Sequence, residues 1–151
     1  MVKRAVEHLR RRGAERALAD FSDPRGAFVE GDFYVVVLDI RGVVRANGAN
    51  QSIIGQNDWE RVDADGKKHT QELIATARER GLGWVDYRWP NPKKGGKIEL
   101  KSTYCELVGD LVVGCGVYRA DAAPAARAVP PVSSETKRKR TPQTLIAELR
   151  G

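Results

Sequence analysis

"GWVDYRWPNPKKGGKIELKSTYCELVGDLVVGCGVY" (residues 83–118) contains three extended runs divided by two turns. Residues 84–89, 97–107 and 111–118 are rich in β-branched and aromatic side chains, and "PNPKKGG" and "VGDL" supply the turn residues between them. The pattern predicts an antiparallel meander. Tyr87 and Trp89 fall on one face of its first strand, and Pro90 and Pro92 predict that the chain leaves the sheet directly after them. A two-residue turn at Gly109 and Asp110 sets a register in which Tyr104 faces Cys115 and Cys105 faces Gly114. The two thiols then lie on opposite faces, which predicts no disulfide and agrees with a reducing compartment.

Upstream, "DFYVVVLD" (32–39) turns at Arg41 and Gly42 into "VVRA" (43–46), which reads as a β-hairpin. Residues 2–19 carry Val2, Val6, Leu9, Ala17 and Leu18 against a face of arginines. That spacing predicts one amphipathic helix with Gly13 as its weak point. "DADG" (63–66) predicts the cap of a second helix that ends at Gly81 and buries Leu73, Ile74 and Ala77. Helix, strand, strand, helix and three strands make an α+β domain over residues 1–119, its antiparallel sheet covered on one side. Residues 120–140 are rich in Ala, Pro and Ser and read as a disordered basic linker. Residues 141–151, with a Thr–Pro start, predict a short amphipathic helix.

No apolar run approaches the ~18–20 residues of a membrane span. "MVKRAVEHLRRRG" also lacks the apolar stretch of a signal peptide, which places the protein in the cytoplasm. The net charge of +6 sits on the ends, each of residues 2–20 and 121–151 holding six basic against three acidic side chains. The balanced body argues against a folded surface that grips phosphates. A nucleic-acid or scaffold role would therefore work through "RRR" (10–12) and "KRKR" (137–140).

The chemistry of catalysis is thin. His8 and His69, the only histidines, fall on expected polar helix faces with no carboxylate cluster at ligand spacing, so no metal site is expected. Asp63, Asp65 and Gly66 lack the glutamate that a calcium loop needs at its twelfth position. No nucleophile elbow, phosphate loop or dinucleotide fingerprint occurs, which predicts neither an enzyme nor a cofactor. What stands out is Tyr87 and Trp89 beside the returning strand that carries Lys101 and Tyr104. An aromatic wall, a hydroxyl and an ammonium suit a small organic anion, and Tyr34 on the first strand offers a further hydroxyl. The same residue types also describe core aromatics and an edge-guarding lysine. Lys101 and Tyr104 are an odd number of positions apart, so only a bulge brings both to one face.

The stretches "YRWPNP", "KSTY" and "GCGVY", with "DFYVVVLDIRGVVRANGANQSIIGQN" and "DADGK" before them, resemble a single Cache domain, the PAS-like sensor module of bacterial chemoreceptors and sensor kinases. The likeness spans roughly residues 5–118. It implies a five-stranded antiparallel sheet, a long N-terminal helix alongside, and a pocket for a small carboxylate of the acetate, propionate or pyruvate class. By motif it implies that Tyr87, Trp89 and Pro90 wall that pocket and that Lys101 meets the carboxylate, with Tyr104 near. It further implies pairing of two copies through the N-terminal helix and output through a protein partner. Where such domains carry a His-Pro pair after the second strand, this sequence has Ala46 and Asn47.

Overall fold

The computed structural model describes residues 1–119. The linker and the C-terminal helix expected over 120–140 and 141–151 lie outside the described residues. The N-terminal segment divides at Gly13 into α1 (Val2–Arg12) and α2 (Ala14–Phe21). Gly13 takes φ +84°, which a side-chain-bearing residue resists, so the single helix expected over 2–19 is two helices.

Six strands follow: β1 (Val29–Glu30), β2 (Phe33–Asp39), β3 (Val44–Asn47), β4 (Leu82–Asn91), β5 (Lys97–Val108) and β6 (Leu111–Arg119). The sheet order is β1-β2-β6-β5-β4, every pairing is antiparallel, and β3 also pairs with β2. The expected α+β class holds, with one short strand more than the five implied by resemblance. The β2–β3 hairpin closes on Asp39, whose Oδ1 accepts from the backbone N–H groups of Arg41 and Val43. Helix α3 (His69–Arg80) ends at Gly81 in the left-handed conformation, as its sequence predicts.

Alternation along the strands produces two separate cores. Val35, Val37, Val113 and Cys115 pack with Val6, Leu9, Phe21 and Phe28 beneath α1 and α2. Leu38, Val112, Val85 and Cys105 pack with Leu73, Ile74 and Ala77 beneath α3. Helices therefore cover both faces, not one. Helical periodicity tells which side of a helix is buried and is silent on which side of a sheet receives it.

Two expected boundaries also move. β4 runs through Pro90, which pairs with Ile98, because β4 is the edge strand and an edge tolerates a missing N–H. The exit comes at Asn91, whose side chain accepts from Lys93 N–H and donates to the buried Glu99. "DADG" does not cap α3. Asp63 closes its own loop, with Oδ1 accepting from Asp65 and Lys67 N–H, and it clamps β4 through Oδ2 and Arg88 N–H. Burial works against the Asp63 charge, but the three backbone donors outweigh it and hold the carboxyl below its ordinary range.

Candidate functional site

On the α3 face the sheet departs from a dry core. β5 aligns Lys101 with Tyr87 of β4 on one side and with Tyr118 of β6 on the other. Opposed residues share a face, so the three side chains meet. The Lys101 stem lies across β6 at Gly116, where an added Cβ would sit 2.2 Å from Lys101 Cε and 2.9 Å from its Cγ. The absent side chain opens the path to β2. There Lys101 Nζ donates to Tyr34 Oη at 2.9 Å.

The phenols form a chain. Tyr118 Oη donates to the Pro90 carbonyl at 2.9 Å, so its oxygen is left to accept from Tyr34 Oη at 2.8 Å. The ammonium lies 4.5 Å from the Tyr34 ring centre, 5.1 Å from that of Tyr118 and 6.0 Å from that of Tyr87. Such faces attract a cation. Lys101 is 2% exposed and has no carboxylate within salt-bridge distance among the described residues. Burial opposes its charge, whereas the Tyr87 and Tyr34 oxygens favour it, and the balance lies above the ordinary lysine value. Burial holds the Tyr87 and Tyr118 phenols above their ordinary range, so neither supplies Lys101 with an anionic partner at neutral pH.

The ammonium borders a small inner chamber of about 40 Å³, lined by Asn47, Asp58, His69, Tyr87 and Trp89 among others. Asn47, Ile53 and Trp89 also line an outer vestibule of about 510 Å³ that reaches Arg61, Arg88, Pro90 and Pro92. His69 stacks on Tyr87 at 4.6 Å between ring centres and meets Trp89 edge-on at 4.8 Å. Burial chiefly pushes the His69 ring below its ordinary value, against the Lys67 carbonyl, Asp63 and Asp58, and it is neutral at pH 7. Tyr87 Oη is joined to Thr103 Oγ1 at 2.9 Å.

Of the residues singled out in sequence, Tyr34, Tyr87, Trp89 and Lys101 come together, and Pro90 sits on the vestibule rim. Tyr104 does not join them. β5 pairs residue for residue with both neighbours, so no bulge turns Tyr104 round. It lies on the opposite face, where its hydroxyl donates to Glu106 at 2.6 Å and its ring leans on Trp84. His69 is buried rather than on a polar helix face, because its side of α3 looks onto the aromatic end of β4. Tyr118, Asp58 and Gly116 are further residues that sequence reasoning did not select. "GCGVY" held the signal for two of them: alternate glycines in a strand mark a place where something else approaches the backbone.

The family described as Single Cache domain 2 matches residues 14–129. The methyl-accepting chemotaxis protein McpP of Pseudomonas putida is 30% identical over 89 residues, covering 58% of this chain. The chain spans only 16% of that receptor's length. Among solved structures, a "Periplasmic sensor domain of chemotaxis protein" aligns at TM-score 0.62 and 26% identity, over 78% of this chain and 84% of the other. A Cache chemosensory domain, solved to give the "Structural basis for carboxylic acid recognition", aligns at TM-score 0.63 and 25% identity, over 78% and 83%. A methyl-accepting chemotaxis protein from Vibrio parahaemolyticus shares the fold at TM-score 0.67 and 21% identity, over 77% and 82%.

These relatives overturn the cytoplasmic expectation, since they point to sensor domains placed outside the cytoplasm. The unpaired thiols were a poor guide to the compartment. Cys105 and Cys115 are free because the register sets them on opposite faces, whatever the redox conditions. No helix among the described residues is long and apolar enough to cross a membrane.

Proposed function

The chain belongs to the single Cache domain family, and from that premise we propose that it is a sensor module whose inner chamber binds a short organic carboxylate. One observation carries the reading: a buried ammonium with no carboxylate within salt-bridge distance among the described residues borders a small chamber with an aromatic wall. An isolated buried charge is costly, and a ligand carboxylate removes that cost by accepting from the Lys101 N–H groups that Tyr34 leaves free. Tyr34 and Tyr118 position the ammonium, while Tyr87 and Trp89 enclose the carbon chain. Carboxylic acid recognition by the similar Cache chemosensory domain supports the same ligand class here.

Output follows from the wiring. Tyr118 belongs to β6 and hydrogen-bonds both Tyr34, the partner of Lys101, and the Pro90 carbonyl at the rim. A carboxylate that draws Lys101 inward shifts this chain and with it the end of β6. Pairing of two copies through α1, and a protein that receives the signal, complete the reading. Two or three charge-assisted hydrogen bonds at roughly 1.5–3 kcal/mol each, less the cost of association, give micromolar to millimolar affinity. Titration calorimetry with acetate, propionate and pyruvate tests the proposal. Binding of at least one acid is expected, weakened about 100-fold by Lys101→Met. No heat from short acids, or unchanged affinity in the variant, defeats it.

A further inference from the structure

The inner chamber beside Lys101 and the outer vestibule have three lining residues in common, Asn47, Ile53 and Trp89. These three form the boundary between a space of about 40 Å³ and one of about 510 Å³. A water needs about 10–15 Å³ of such volume, so the chamber takes about three water-sized groups. That is the bulk of a two- or three-carbon acid, whose bonded atoms lie closer together than separate waters. A longer chain has to cross the boundary.

The boundary is held in place from each side. Asn47 is buried, and its Oδ1 accepts from the backbone N–H groups of Ala49 and Asn50, each at 2.8 Å. Trp89 meets His69 edge-on at 4.8 Å and Tyr87 edge-on at 6.1 Å. Ile53 closes a short 3-10 turn, Gln51–Ile53, which Asn50 caps by accepting from Ser52 N–H at 3.0 Å. Gln51 ties the same turn to the Ser22 carbonyl. The turn sets where Ile53 stands, and its side chain packs against the core beneath α3.

We propose that Ile53 sets the length of acid the chamber accepts, two or three carbons, with Lys101 fixing the other end. This rests on the carboxylate reading above and adds a limit on ligand size. With the carboxylate held at the ammonium, chain length is measured from Lys101 towards the boundary. A fourth carbon must displace Ile53 or Trp89, and a filled space resists added methylenes. Trimming Ile53 removes apolar atoms alone, whereas a change at Asn47 would strand the two N–H groups it serves. The trimmed boundary joins the chamber to the vestibule, where further methylenes gain burial.

Calorimetry with acetate, propionate, butyrate and pentanoate on the purified chain tests the assignment. The unaltered chain is expected to bind butyrate and pentanoate about tenfold or more weakly than propionate. Ile53→Ala is expected to reverse that order, each methylene beyond propionate adding about fourfold in affinity. Acetate affinity should stay within about threefold of the unaltered chain. Ile53→Val should move the order the same way by a smaller step, and it guards against a folding defect in the alanine variant. Val62 lines the vestibule but not the chamber, so Val62→Ala should leave the order unchanged. The ranking of acids within one protein is read, and a loss of folded material does not alter a ranking. Butyrate bound by the unaltered chain as tightly as propionate, a ranking that neither Ile53 variant changes, or an equal shift in Val62→Ala overturns this inference while the carboxylate reading stands. Failure of every acid overturns both.

Discussion

The two faces of one sheet are built from the same strands and reach opposite ends. β6 shows it within four residues: Val113 and Cys115 point into the core under α1 and α2, while Gly114 and Gly116 face α3 and contribute no side chain. On the first face Phe21, Val35 and Val37 are sealed among apolar neighbours. On the second, the space left at Gly116 is taken by the stem of Lys101, which lines a chamber together with Asp58, His69 and Asn47. One face is apolar throughout, and the other combines the core beneath α3 with a small polar chamber. Strand parity confines the buried charge to one face and leaves the opposite core uninterrupted.

The widest break in this comparison comes from the dry face. Phe21 is fully buried with its ring edge-on to Phe28 at 4.8 Å, so Phe21→Ala is expected to cost about 3–5 kcal/mol of unfolding free energy in urea titration. The fraction that remains folded should bind short acids as before. A loss of affinity larger than the loss of folded protein would show that the faces are coupled rather than divided.

Gly116→Ala probes the hollow face with one methyl group. The new Cβ would overlap Lys101 Cε and stand 2.6 Å from Thr103 Oγ1, so both the lysine and the Tyr87 partner must move. Overpacking of this kind costs about 1–3 kcal/mol of stability. Calorimetry should show carboxylate affinity falling as far as in Lys101→Met. Retained affinity would mean that Lys101 does not need its path over β6.

Much of the frame was legible in the sequence because it is local. The hairpin at Arg41 and Gly42, the stop at Gly81 and the pairing of Tyr104 with Cys115 each follow from a few adjacent residues. The candidate site was legible only in part. Tyr87, Trp89 and Lys101 lie on neighbouring strands joined by one short loop, so alternation alone brings them close. His69 arrives from α3, Asp58 from the loop before it and Tyr118 from the far end of β6, and no local pattern reports such a convergence. Tyr104 was misread for the reverse reason. Its nearness to Lys101 in sequence is cancelled by strand parity, which the regular β5 obeys.

The smallest effect concerns acid, and it separates the faces by titration. His69 is held neutral mainly by burial, and its folded value lies below that of the unfolded chain. Between those two values the unfolded state binds a proton that the folded state refuses, so stability rises with pH there and is complete above the ordinary histidine value of about 6.5. Acidification from pH 7.5 to 5.5 should therefore lower the urea midpoint. His69→Phe removes the titrating ring but keeps its stack on Tyr87, and should flatten that response. The carboxyls of Asp63, Glu99 and Glu106 are held below their ordinary range and titrate too low to imitate it. Equal pH slopes in the two proteins would mean that His69 takes up its proton as readily inside as outside, and that the hollow face is wetter than its burial indicates.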